Sequence, residues 1–143
     1  MRNRLKPAAL ALATLLTLGI GLTTAASPAY AAACSGSSCV GKDPQGTGCS
    51  SGAASLASVR PPGGGPAVIL RWSSSCRANW TRFDDSGGDS PGYWTFWAET
   101  SDGHREYKMW NNALWTFMVN GNLSARACIK GVATDQYSCT GWY

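Results

Sequence analysis

The first 33 residues carry a hydrophobic pattern that the rest of the chain does not repeat. Three basic residues lie within the first six positions, and an uncharged run rich in Ala and Leu follows at residues 8–26. Its most apolar part has only about half to two-thirds of the ~20 residues that a membrane-spanning helix needs. Ala29 and Ala31 then provide the small residues that a signal peptidase reads. The order predicts a secretory signal peptide over residues 1–33, cleaved after about residue 31 to 33, and a secreted, extracellular protein with no stable membrane anchor after cleavage.

From residue 67 onward, apolar and aromatic residues recur in short β-type runs separated by turn signals about ten residues apart. The runs cover residues 67–73, 78–83, 92–100, 104–110, 113–119, 123–130 and 136–143. Asn120-Gly121 suits a type I′ turn and predicts a hairpin between the fifth and sixth of these runs. No amphipathic helical pattern competes with them. Six or seven short strands predict an all-β fold, a small antiparallel sandwich or barrel.

Residues 34–66 separate the leader from these strands and contain much Gly, Ser and Pro. They show little periodicity, so the sequence predicts a loop segment, with residues 61–66 as an exposed connector. Residues 34–66 and the Trp-containing β-rich segment 67–143 are expected to form one domain.

The cysteine count predicts that the domain is stabilised by disulfides. Six cysteines follow the leader: Cys34, Cys39, Cys49, Cys76, Cys128 and Cys139. An even number in a short secreted chain is typical of a disulfide framework, whereas lipidation of the first cysteine would leave an odd thiol. Cys128 and Cys139 flank the last predicted turn and are expected to pair. The three possible pairings of the other four cysteines stay open.

The charge balance argues against nucleic acid as a partner. The formal net charge is +4, but three of the basic residues lie in the leader. The remainder has nine Lys and Arg against eight Asp and Glu, a balance of +1, with the two signs interspersed. Nucleic-acid-binding domains carry a basic stripe or patch, which this order lacks. No cofactor and no metal site are expected, and the oligomeric state stays open.

The motifs that resemble catalytic signatures are incomplete, so the chain is expected not to be an enzyme. Residues 36–42 have the phosphate-loop spacing, but Asp43 stands where the metal-binding hydroxyl belongs. Residues 88–92 match the nucleophile-elbow pattern around Ser90, yet the next residue is a proline without the N–H that an oxyanion hole needs. A small hydrolase that uses Ser90 with His104, or the carboxylates Glu99 and Glu106, is the remaining catalytic alternative.

Tryptophan is the strongest compositional signal, with seven residues, all beyond the leader. In the run at 92–100, alternation gives both faces of the strand an aromatic side chain. Large aromatics in small sandwiches usually belong to the core. The functional alternative is an exposed platform that stacks on sugar rings or on a partner's side chains. Its candidate residues are Trp94, Trp97, Tyr107 and Trp110.

Two stretches, residues 39–49 and 68–82, resemble a family of small secreted, mainly actinobacterial domains of unknown function. The hallmark is Cys-x-Gly-Lys-Asp-Pro, then Gly-Cys, then Leu-Arg-aromatic-Ser-x-x-Cys-x-x-x-Trp. The residues on this pattern are Cys39, Lys42, Asp43, Pro44, Gly48, Cys49, Leu70, Arg71, Ser73, Cys76 and Trp80. The resemblance implies an exported, disulfide-bonded domain and brings no activity. Lys42, Asp43, Pro44, Arg71 and Trp80 are expected to be structural, with an ion pair between Asp43 and Arg71.

Together these features predict a secreted, non-catalytic domain that binds an extracellular ligand, either cell-wall glycan or a protein. The alternative binding role is a secreted protease inhibitor, in which the disulfide-held residues 39–49 present a rigid loop to an enzyme.

Overall fold

The protein is built from two antiparallel β-sheets. The computed structural model describes residues 32–86, 93–109, 113–133 and 135–143, so the predicted leader lies almost entirely outside the described residues. A single turn of 3-10 helix, Gly36–Cys39, precedes the described strands. These strands are β1 (Ala54–Val59), β2 (Ala67–Ser73), β3 (Ala78–Asp84), β4 (Trp94–Thr100), β5 (Arg105–Met109), β6 (Val119–Asn120), β7 (Ala125–Gly131) and β8 (Tyr137–Cys139).

The first sheet has the strand order β1-β2-β3-β6, and the second has the order β5-β4-β7-β8. All the pairings between these strands are antiparallel. Alternation along each central strand gives one face to the space between the sheets and the other to the outside. The predicted all-β antiparallel fold is confirmed, and of the two architectures it is the sandwich.

The main core lies between the two sheets and is mostly apolar. Phe83 of β3 and Phe96 of β4 meet across it, with ring centroids 5.4 Å apart and a tilt of 43°. Below these rings, the Thr81 hydroxyl donates to the Trp97 carbonyl at 2.8 Å and ties the sheets together. The buried members of this cluster are Val68, Leu70, Phe83, Phe96, Ala98, Val119, Ala125, Ala127 and Ile129.

A second, smaller core covers the outer face of the first sheet. Ala78 and Trp80 point outward from β3, and the chain that precedes β1 packs over them with its cysteines and with Met118. Disulfides Cys34–Cys39 and Cys49–Cys76 settle the pairing that the sequence left open. We call the chain that precedes β1 the covering segment. The second of these bonds joins it to the turn between β2 and β3.

The prediction that residues 34–66 form a loop segment is wrong for Ala54–Val59, which form strand β1. This strand lies at the edge of the first sheet and pairs only with β2, with a bulge between Ser55 and Ala57. Its side chains are mostly exposed and small. An edge strand held by backbone hydrogen bonds needs no alternation of apolar residues, so the pattern did not mark it. Residues 61–66 complete a hairpin loop between β1 and β2, with exposed residues at its tip.

The predicted hairpin across Asn120-Gly121 is also wrong. β6 pairs with β3 in the first sheet, whereas β7 pairs with β4 in the second, so the turn carries the chain between sheets. Gly121 is not among the glycines with positive φ that a type I′ turn requires. Its N–H donates to the Arg77 carbonyl at 3.0 Å, and a Cβ there would overlap the Trp72 ring. Glycine is needed here for close approach.

The run at 113–119 is likewise not a continuous strand. Only Val119 belongs to a strand, and Trp115 makes an isolated bridge to Arg82. The segment still follows β3, because Phe83 donates to the Leu114 carbonyl at 2.7 Å and Thr116 donates to the Thr81 carbonyl at 2.9 Å. This irregular segment forms one wall of a cleft described below.

Candidate ligand-binding surface

The outer face of the second sheet carries aromatic and charged side chains in register. Directly opposed residues of antiparallel strands point to the same side of a sheet. Around the middle of β4 this produces two rows on the outer face. One row is Tyr107, Trp97, Cys128 and Cys139, and the other is Arg105, Glu99 and Arg126. Cys128 is bonded to Cys139, the pair expected from their position around the last turn.

Three aromatic rings form the centre of this face. Trp97 lies between Tyr107 of β5 and Tyr137 of β8, with ring centroids 5.5 Å and 5.7 Å away. Trp97 is only 4% exposed, whereas the two tyrosines are 49% and 55% exposed. The tyrosine rings are therefore the parts of this cluster that solvent or a ligand meets.

The rings line a groove of about 240 Å³ whose other lining residues are Arg105, Lys130 and Asp135. We call these six residues the aromatic groove. Arg105 donates to the Tyr107 hydroxyl at 3.1 Å, which fixes both side chains. The hydrogen bonds to Tyr107 and then to Glu99 raise the pKa of Arg105. Arg105 therefore stays positively charged at the rim. Lys130 and Asp135 add an ammonium group and a carboxylate to the same lining.

The indole Nε1 of Trp97 is buried and has no hydrogen-bond acceptor among the described residues. A buried donor without a partner costs about 1–3 kcal/mol. Trp97 itself lines the groove. Because this nitrogen is buried, a ligand that lies in the groove does not reach it.

The predicted stacking platform needs correction at the two described tryptophans, Trp94 and Trp97. Trp97 is on the outer face, but the two tyrosines cover it. Trp94 points to the other side of β4, packs against the main core and is partly buried. Trp110 lies outside the described residues. Among the described residues, Tyr107 is the one predicted stacking residue with an exposed ring.

Sequence reasoning missed Tyr137 and Lys130. They are directly paired across β7 and β8, next to the Cys128–Cys139 disulfide. A register counted outward from that expected disulfide places Lys130 opposite Tyr137, so the signal was present once the cysteine pair was accepted. Their proximity to Trp97 and Tyr107 could not be predicted in this way, because it depends on the pairing of β4 with β7, which are distant in the sequence.

Glu99 lies in the second row, between two arginines. Its oxygens are 2.8 Å from Nη2 of Arg105 and 2.9 Å from Nη2 of Arg126. Burial by itself raises the pKa of Glu99, but the hydrogen bonds from both arginines outweigh it and hold the pKa below its usual value. Trp142 extends this row, with its ring 4.4 Å from the Arg126 guanidinium. A carboxyl group held ionised in this way is unsuited to act as a general acid.

We expect this ion cluster to make stability depend on pH below about 4.5, the usual pKa of a glutamate. Because the folded pKa of Glu99 is lowered, its contribution is complete above the unfolded pKa and is lost as the pH falls through the folded pKa. Glu99→Gln should cost about 1–3 kcal/mol at pH 7. Urea unfolding of both proteins from pH 7 to about pH 3 should show this difference shrinking as the pH falls. A difference that stays constant with pH would contradict the assignment.

The carboxylates of Glu99 and Glu106 do not converge as a hydrolase requires. Glu106 pairs with Ala98, a core-facing residue, so Glu106 and Glu99 lie on opposite faces of the second sheet. Converging carboxylates are what a glycosidase needs. His104 contacts the Glu106 carboxylate at 3.1 Å. Ser90 lies outside the described residues.

The expected ion pair between Asp43 and Arg71 is not formed. Asp43 accepts hydrogen bonds from the N–H groups of Gln45 and Gly46 and from the indole of Trp115, at 2.7, 2.9 and 3.0 Å. Arg71 instead donates to the Ser55 hydroxyl and to the Ala53 carbonyl. Each side chain thus stabilises a different part of the chain beside the first sheet.

Among the other motif residues, Pro44 lies with Trp80 on the outer side of the first sheet, whereas Leu70 faces the main core. Pro44 and Trp80 are buried, whereas Lys42 is exposed. Residues 40–41 and 44–50 form turns, in which the N–H groups of Thr47 and Gly48 donate to the carbonyls of Asp43 and Gln45. Between these turns, Gly41 and Lys42 bond to the backbone of Met118. The segment predicted as an inhibitory loop is therefore folded back on itself, with its proline buried.

Fold and surface together define a disulfide-stabilised antiparallel sandwich domain with an aromatic groove on one outer face. Residues 37–128 match the model of a family described as "Protein of unknown function (DUF2690)", and this match covers more than half of the chain, which therefore belongs to that family. The expected membership in a family of unknown function is confirmed at that level. No match is found among curated proteins or among solved structures.

Three disulfides are compatible with an extracellular protein. Within the part of the chain that the structure describes, no helix has the length and apolar character needed to cross a membrane.

Proposed function

We propose that this chain is a secreted, non-catalytic domain that binds an extracellular glycan in the aromatic groove. The observation that supports this most directly is the pair of half-exposed tyrosine rings, Tyr107 and Tyr137, which pack against Trp97. The negative face of an aromatic ring attracts the weakly positive C–H bonds of a sugar ring.

The rim of the groove fits the same kind of ligand. Arg105 and Lys130 supply donors, and Asp135 supplies an acceptor, which suits hydroxyl groups that both donate and accept. The groove is open and shallow, with its two tyrosines about half exposed. An open groove of this kind accepts part of a polymer rather than enclosing a small molecule.

The test is co-sedimentation of the purified protein with insoluble bacterial peptidoglycan. We expect saturable binding that Tyr107→Ala and Tyr137→Ala each weaken about two- to tenfold, since one lost ring contact is worth about 0.5–1.5 kcal/mol. Tyr137→Phe keeps the ring and should retain most of the affinity.

Tyr143→Ala is the matched control, because it removes a tyrosine with the same 55% exposure from a different part of the surface. Thermal unfolding of each variant establishes that it is folded. Failure of the wild-type protein to bind, or equal losses in Tyr143→Ala and Tyr137→Ala, would overturn the glycan proposal. Binding that protease treatment of the peptidoglycan abolishes would identify a protein partner instead.

A further inference from the structure

A second cleft, of about 400 Å³, lies on the opposite side of the sandwich, on the outer face of the first sheet. One wall is the covering segment, and another is the irregular segment that follows β3. We call it the arginine cleft; its lining residues are Pro44, Gln45, Ser50, Arg71, Trp80, Arg82, Leu114 and Trp115. None of these residues belongs to the aromatic groove.

The register of β2 and β3 brings the two arginines to one face. Arg71 is directly opposite Trp80, and Ile69 is directly opposite Arg82, so the arginines are diagonal neighbours. Diagonal positions on antiparallel strands are about 7–8 Å apart, within reach of long side chains. Burial and then the positive charge of Arg82 lower the pKa of Arg71. Two like charges therefore face the same space.

No carboxylate in the described part of the chain forms an ion pair with either arginine. Asp43, at the edge of the covering wall, is already held by two backbone N–H groups and by the Trp115 indole. Arg71 donates only to neutral oxygens, at Ser55 and Ala53. Neither arginine is therefore paired in the described part of the chain, although the pKa of the nearby Asp84 is lowered by hydrogen bonds from Ser86 and also by the charge of Arg82.

The rest of the lining suits a ligand that carries its charge on a ring or chain. Trp80 is only 3% exposed yet reaches the cleft surface, and Trp115 is held in place by its bond to Asp43. The amide of Gln45 and the hydroxyl of Ser50 add neutral donors. Guanidinium groups bind phosphate and carboxylate oxygens through paired N–H donors, and they do so best at a partly buried site.

We propose that the arginine cleft binds an oxyanionic group, a phosphate or a carboxylate, carried on a sugar-sized ligand. Arg82 and the free donors of Arg71 hold the anion, and the indoles of Trp80 and Trp115 contact the adjoining ring. The proposal is independent of the aromatic groove, because it uses neither its residues nor its sheet.

The test is an NMR titration of the purified, 15N-labelled protein with glucose 6-phosphate, with glucuronate and with glucose. The Trp115 indole N–H is the reporter, since it lies at the cleft and has a fixed acceptor. We expect saturable shifts with at least one of the charged sugars and none with glucose. The phosphate and carboxylate arms distinguish the two sources of the anion.

Arg82→Gln should weaken binding at least fivefold while leaving the fold intact, because no described side chain forms an ion pair with Arg82. The control is Arg77→Gln, which removes the same charge from an exposed arginine that does not line the cleft. Tyr137→Ala should leave this titration unchanged. Equal shifts with glucose, no saturation with either charged sugar, or equal losses in Arg77→Gln and Arg82→Gln would overturn the proposal.

Discussion

Phe83→Ala should lower the free energy of unfolding by about 3–5 kcal/mol, the usual cost of removing a buried aromatic ring from a core. Phe83 is fully buried, and its ring meets Phe96 across the space between the two sheets at 5.4 Å. The cavity would be lined by residues of both sheets, which are joined here mainly by packing. Such a loss is a large part of the about 5–15 kcal/mol that typically stabilises a domain.

Urea unfolding of the single variants and of the double variant Phe83→Ala/Phe96→Ala measures this contribution. We expect the double variant to lose less than the sum of the singles, with a coupling of about 0.5–1.5 kcal/mol from the ring pair. Tyr93→Ala removes an aromatic ring that is 65% exposed and should change stability by about 0.5 kcal/mol or less. A cost below that of the exposed control would refute the central role of this contact.

The second large effect is expected from the disulfide Cys49–Cys76. Its removal in Cys49→Ala/Cys76→Ala should cost about 3.5 kcal/mol, because the bond closes a loop with a sequence separation of 27. Cys34–Cys39, with a separation of 5, should be worth only about 2 kcal/mol by the same chain-entropy argument. Both cysteines of the longer loop are fully buried.

Urea unfolding of the two double-alanine variants under oxidising conditions separates these values, and the Cys34→Ala/Cys39→Ala protein is the matched control. Loss of the Cys49–Cys76 disulfide should also loosen the covering segment over Trp80. The 15N spectrum of the Cys49→Ala/Cys76→Ala protein should therefore show a shifted indole N–H resonance for Trp115. If the Cys34→Ala/Cys39→Ala protein were instead the less stable of the two, the covering segment would be held by its apolar contacts rather than by the Cys49–Cys76 bond.

The two proposed sites show that the sequence reveals the pattern along a strand but not the pairing between strands. Alternation along β4 correctly indicated that both of its faces are aromatic, because successive side chains point to opposite sides of a strand. It did not indicate which rings are exposed, since Trp97 is covered by tyrosines from two other strands. Tyr137 comes forty residues after Trp97 in the chain. Only the pairing of β4 with β7 and of β7 with β8 brings them together.

The arginine cleft shows the same limit for charged residues. Arg71 and Arg82 each occur in a correctly predicted strand, yet no local pattern indicates that the two like charges lie together. Arg71 was expected to pair with Asp43, whose carboxylate instead bonds locally to Gln45 and Gly46. The Asp43 carboxylate is satisfied by these backbone donors and by the Trp115 indole, without the arginine.

By itself, the sequence determined the elements whose signals are local. The strands β2, β3, β4 and β5 follow from alternation and turn residues, and the disulfide-bonded character follows from an even cysteine count. The tertiary structure decided the rest: the edge strand β1, the pairing of four cysteines, the crossing at Gly121 and the convergence of both sites. Those features depend on contacts between segments that are distant in the sequence. At the crossing, for example, the close packing of Gly121 against Trp72 and Arg77 overrides the turn preference of Asn-Gly.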